Sequence, residues 1–177
     1  MKKRKPVTVA AETAPVIKQR SSKTKSLVLS AAIAAIYAVL TLLLAPISYG
    51  PVQLRVAEVM TVLPIFTSCA VPGLTVGCIV ANLFGGFGLY DIIFGSLATL
   101  LGGLGTRALR KKPIIAVWPP VLSNAVIVGS MLYFVVPDSP ALLWNIISVG
   151  LSQMLICVGL GIPFIWLLKK YPRLFLQ

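Results

Sequence analysis

The sequence predicts an all-α integral membrane protein, a bundle of six transmembrane helices with both termini on the cytosolic side. Three observations lead there. Of 177 residues, 58% are hydrophobic and only 11% charged, whereas a soluble domain is about half apolar and about a quarter charged. The apolar residues form long runs separated by Pro- and Gly-rich turns, and at about 20 residues per span the chain accommodates roughly six. The cations punctuate those runs instead of forming a stripe on one soluble face. The formal charge of +12 is therefore a set of topology signals and not a nucleic-acid surface.

Residues 1–25 are basic and polar, rich in Thr, Ser, Val and Pro, and are expected to be a disordered cytosolic tail. The run Leu27–Ala45 is too long for the apolar core of a signal peptide, about 7–15 residues, and is expected to form the first span, α1. For α2, Val56–Val71 is expected, broken by Pro64 and stopped by Pro72-Gly73, followed by α3 over Leu74–Phe84. Gly85-Gly86-Phe87-Gly88 is a turn that glycine makes cheap. Then come α4 over Asp91–Leu109, α5 over Ile114–Val136 and, after the turn Pro137-Asp138-Ser139-Pro140, α6 over Leu142–Leu168. The bundle occupies residues 26–172, and 173–177 form a cytosolic C-terminal end. With the N-terminus inside, the tail, the loop after α4 and the C-terminus all face the cytosol. All but one of the 16 Lys and Arg residues then lie inside, Arg55 being the exception, as the positive-inside rule requires.

The polar side chains within the runs gather toward the outer half. Glu58 starts α2, Asn82 lies near the outer end of α3, Asp91 starts α4, Asn124 is midway along α5, and Asn145 and Gln153 lie on α6. Polar groups in hydrocarbon are costly and usually face a bundle interior or a water-filled cavity. The set points to an outward-facing pocket. Interhelical hydrogen bonding is the competing explanation, and for Asp91 and Asn145, both at helix starts, capping competes equally. Arg55 and Glu58, three apart, could pair on one helical face. Tyr90 and Trp144 stand beside polar candidates, where an aromatic can stack on a flat ligand, although interfacial belts also use these residues. On α1, Ala31/Ala35 and Ala34/Ala38 are two overlapping pairs of small residues four apart, the pattern that lets another helix approach closely.

Much chemistry is missing. The chain has no histidine, which removes Ser–His proteolysis and the commonest metal ligand. Cys69, Cys78 and Cys157 form no C-x-x-C pair and read as small apolar packers. No phosphate-binding loop or nucleophile-elbow motif occurs. Neither catalytic residues, a metal site nor a cofactor is expected, and an energised transporter would need a partner or an ion gradient.

Three segments carry a resemblance: Ala45 to Glu58 (APISYGPVQLRVAE), Asn82 to Thr99 (NLFGGFGLYDIIFGSLAT) and Pro119 to Asn124 (PPVLSN). Together they resemble the QueT family, whose members are substrate-binding (S) components of energy-coupling factor (ECF) transporters associated with queuosine precursors. The resemblance covers residues 27 to 170 or so. It implies a six-helix S component in a bacterial cell membrane, an α1 whose alanine motifs contact the transmembrane coupling (T) subunit, and two cytosolic ATPase subunits that hydrolyse ATP. It also implies a mobile outer loop at Ser48–Val56 and a ligand resembling a 7-deazaguanine base. The family commonly carries a carboxylate where this chain has Gln153, which weighs against a cation role there. Glu58 or Asp91 would accept adjacent N–H groups of such a base, while Asn82, Asn124 or Gln153 would meet its carbonyl and ring nitrogens. The alternatives are an S component for another vitamin or nucleobase, or a membrane assembly protein whose polar residues only join helices; a membrane enzyme is more distant.

Overall fold

In the computed structural model, which describes residues 14–49, 53–85 and 87–171, α1 runs Ala14–Leu43. The helix therefore starts well before Leu27. Residues 14–25 of the expected unstructured tail are helical, and residues 1–13 lie outside the described residues, as do 172–177. Extending a formed helix adds a hydrogen bond for each residue fixed and needs no new nucleus, and Lys, Gln and Arg are good helix formers. The apolar part of α1, Lys23–Leu43, is long enough to cross a membrane. A single turn, Ala45–Ser48, follows.

The second helix departs most from expectation. It spans Val56–Ile65 and winds as a 3₁₀ helix with Pro64 inside it. Such runs seldom exceed a few residues because their hydrogen bonds are poorer. Burial compensates here: Ala57, Glu58, Met60, Thr61, Val62, Leu63 and Pro64 are all buried, as expected for a helix surrounded by others. The break before α3 falls at Phe66–Cys69 and not at Pro72-Gly73, since α3 runs Ala70–Leu83. Pro72 lies in its first turn, where a missing N–H costs nothing.

The next three helices are α4 (Gly88–Ala108), α5 (Pro113–Val135, with a slight break at Val117) and α6 (Leu142–Lys169), each long and apolar enough to cross a membrane. Gly88 enters α4 at φ +60°, in the left-handed region that glycine reaches without strain. Thus four helices among the described residues have spanning length. At 1.5–2 Å per residue, α2 and α3 are each only about 20 Å long, short of a hydrocarbon core about 30 Å thick.

Packing runs in sequence order, α3 against α1, then α4, α5 and α6, while α2 touches α1, α3, α4 and α6 from the centre. The outer surface is apolar, with Leu27, Leu43, Phe84 and Phe134 among its most exposed side chains, and the interior holds Arg55, Glu58, Asn82 and Asp91. Polar inside and apolar outside is the distribution of a lipid-embedded bundle. The α1–α3 contact is close. A Cβ on Gly77 would stand 2.7 Å from the Ala34 carbonyl oxygen, so only glycine lets the two backbones approach this far.

That contact separates the two alanine pairs. Ala38 is buried and Ala34 faces Gly77 of α3, so this pair is turned into the bundle. Ala31 and Ala35 are exposed on the opposite side of α1.

Candidate functional site

The central 3₁₀ helix brings two charged residues into the bundle. Arg55 precedes it in extended backbone, φ −88° and ψ 97°. Its Nη2 donates to both carboxylate oxygens of Asp91, at 2.8 and 3.0 Å, with both side chains buried. The expected Arg55–Glu58 pair does not form. Three-residue spacing aligns side chains only when both residues are helical, and Arg55 is not.

Asp91 opens a π-helical turn, Asp91–Gly95, within α4. Such turns interrupt the regular ladder, and here the side chain of Asn82 donates to the Asp91 carbonyl at 2.7 Å. Gly95 makes room for the meeting: a Cβ there would stand 2.7 Å from Asn82 Nδ2 and 3.2 Å from Asp91 Oδ1. Beneath them, Cys78 Sγ accepts from Asn82, Thr99 and Arg55 at 3.4, 3.3 and 3.9 Å. It is thus a polar partner as well as a packer. Tyr49 closes the other side, donating to the Ala81 carbonyl at 2.6 Å with its ring 5.5 Å from the Arg55 guanidinium.

Glu58 is reached from α1, where the Tyr37 hydroxyl donates to Glu58 Oε1 at 2.5 Å. Six buried side-chain atoms have no hydrogen-bond partner among the described residues: Ser48 Oγ, Gln53 Nε2, Arg55 Nε, Glu58 Oε2, Asn82 Oδ1 and Ser96 Oγ. Four of them belong to the stretch 48–58 and two to α3 and α4, which flank it. Each unmet group costs about 1–3 kcal/mol. A polar ligand placed here would find partners in them. They comprise two plain acceptors, two plain donors and two hydroxyls.

The remaining predicted residues divide. Asp91 is buried but its oxygens are both engaged by Arg55. Gln153 is buried on α6, where its Oε1 accepts from Cys157 at 3.5 Å, and Cys157 in turn reaches the Glu58 carbonyl at 3.7 Å. Asn124 donates within α5 to Pro120. Asn145 donates to Ser139 Oγ and the Pro140 carbonyl at 2.9 and 3.0 Å, so it ties down the turn entering α6. Trp144 and Asn145 line a cavity of about 350 Å³ with Tyr49, Phe87 and Ser139, and Tyr49 joins this cavity to the Arg55 cluster. Tyr90 lies elsewhere, on an apolar groove with Phe94 and Phe134 between α4 and α5. Residues 50–52 of the expected outer loop lie outside the described residues.

Sequence reasoning missed Tyr37, Ser48, Gln53 and Ser96. A hydroxyl within the apolar part of α1 was a signal for Tyr37. Gln53 carried none; it is buried on a left-handed backbone, φ 47°.

Fold and site together define a multi-pass α-helical membrane protein that encloses a polar site. The chain belongs to the QueT transporter family, whose sequence model matches residues 27–170. It is 39% identical over 84 residues to a curated protein of Lactococcus lactis subsp. cremoris (strain MG1363), the queuosine precursor transporter QueT. That match covers 46% of this chain and 49% of the relative, so the chain spans about half the length of the curated relative it matches. No solved structure matches.

Proposed function

We propose that this chain is the substrate-binding (S) component of an ECF-type transporter. In this reading it captures a queuosine precursor from outside the cell, a 7-deazaguanine base such as preQ0, preQ1 or queuine, for ATP-driven uptake. The carrying observation is the set of unmet buried donors and acceptors around Glu58. A guanine-like edge presents adjacent N–H donors, which Glu58 Oε2 and Asn82 Oδ1 would accept, while Gln53 Nε2 and Arg55 Nε would donate to ring oxygen and nitrogen. Carboxylates recognise base amines in this way generally. The rings of Tyr49 and Trp144 on the neighbouring cavity would supply stacking of about 1–3 kcal/mol. The name of the Lactococcus relative supports the substrate.

The reading includes six spans, with the short α2 and α3 completing the bundle, and cytosolic termini, because all but one of the 16 basic residues then lie inside. It needs no cofactor and no catalytic group in this chain, since two partner ATPases hydrolyse ATP. A thermal-shift panel tests the substrate. A bound base at about 100 times its Kd should stabilise the purified protein by about 2.7 kcal/mol. Stabilisation by none of the three bases would remove the assignment.

Docking to the T subunit falls to the exposed Ala31/Ala35 face of α1. Replacing both with Leu should abolish co-purification with the T and ATPase subunits while leaving base binding within about twofold, because the substitution fills only the space between helix axes about 8–10 Å apart. Undiminished assembly would place the docking face elsewhere.

A further inference from the structure

Tyr37 is fully buried on the side of α1 away from Ala31 and Ala35. Gly77 creates its position: a Cβ there would stand 2.9 Å from Tyr37 Cβ, so the tyrosine lies against bare α3 backbone. From there its hydroxyl reaches Glu58 Oε1 on α2, at 2.5 Å. Thr41, one turn on, donates to the Tyr37 carbonyl at 2.9 Å. The backbone of Glu58 is held as well, its carbonyl accepting from Thr61 at 2.6 Å. One carboxylate oxygen is therefore clamped, and Oε2 is buried without a partner among the described residues.

We propose that Tyr37 is a specificity-determining positioning residue, whose grip on Glu58 Oε1 sets the rotation of the carboxylate so that Oε2 accepts a primary amine on a planar base. The terminal torsion of a glutamate is soft and roughly two-fold. An unclamped carboxylate would take N–H groups from several directions and discriminate poorly. A short O–H···O⁻ bond, roughly twice as strong as a neutral one, removes that freedom. The ligand class selected is a base with an exocyclic amine beside a ring N–H. Its des-amino analogue is rejected because it would leave Oε2 buried and unmet. The inference rests on the proposed base-binding function.

Titration calorimetry with 7-deazaguanine and 7-deazahypoxanthine, which lacks the exocyclic amine, tests it on the unaltered protein, Tyr37→Phe and Glu58→Asp. The unaltered protein should prefer the amine-bearing base by about 10- to 150-fold, the span of one hydrogen bond to a charged group. In Tyr37→Phe that preference should fall about tenfold, with affinity for the des-amino base within about threefold. Glu58→Asp, one methylene too short to reach both Tyr37 and ligand, should move it the same way. In a Glu58→Gln background, Tyr37→Phe should alter the preference no further. Equal losses for both bases, or an unchanged preference in Tyr37→Phe, would overturn the positioning role; if that variant does not fold, Glu58→Asp decides. Binding of neither base by the unaltered protein overturns the functional reading and this inference together. Binding with an unmoved preference overturns the inference alone.

Discussion

Asp91→Asn is expected to destabilise the protein by about 3–5 kcal/mol, the cost of leaving a buried charge without its counter-ion. Asp91 takes two hydrogen bonds from one nitrogen of Arg55, and both side chains are shut away from solvent. An asparagine would still offer one carbonyl oxygen to Arg55, but the guanidinium charge would stay in the interior uncompensated. The sulfur of Cys78 and the ring of Tyr49 also contact Arg55. Neither neutralises it, since a cation–π contact contributes about 0.5–2 kcal/mol. Because the loss comes from the stranded charge, Arg55→Gln combined with Asp91→Asn should recover more than half of it. Thermal unfolding of the four proteins in one detergent closes the double-mutant cycle. If Asp91→Asn alone costs less than about 1 kcal/mol, water reaches Arg55 and the pair is not a structural element of the site.

Glu58→Gln is expected to lower affinity for the bound base about 5- to 150-fold with little loss of folding. The side chain keeps its shape, and Tyr37 can still donate to the remaining oxygen. The amide nitrogen then takes the place of Oε2, the oxygen that has no partner among the described residues, and points a donor at the N–H groups of the ligand. A buried polar mismatch of this kind costs about 1–3 kcal/mol, and 1.4 kcal/mol is a factor of about ten. Titration calorimetry on the folded variant reads it directly. Unchanged affinity would demote Glu58 to a helix-joining role through Tyr37, and a variant that does not fold would make it a structural group first.

Both experiments act on residues that the sequence already singled out, but with different assignments. Arg55, Glu58, Asn82 and Asp91 stood out as polar groups in apolar runs. Their partners did not, because the natural guess from spacing was Arg55 with Glu58. In the fold Arg55 goes to Asp91, 36 residues away, and Glu58 goes to Tyr37, 21 residues away. Asn145, a candidate ligand contact, turns out to brace the loop before α6. The two alanine pairs of α1 were equivalent in the sequence and are not in the bundle, where one packs on α3 and the other is exposed.

Composition and the spacing of apolar runs suffice for the membrane class, the approximate helix positions and the roster of costly polar residues, because transfer into lipid depends on each segment's own side chains. The segments Ala45–Glu58, Asn82–Thr99 and Pro119–Asn124 were enough to suggest the family. The winding of α2 as 3₁₀, the π-turn at Asp91 and the choice of partner for every buried charge could not be read this way. Those features depend on which helix faces meet, and that is settled by contacts such as Gly77 against Ala34 and Gly95 against Asn82, between residues far apart in the chain.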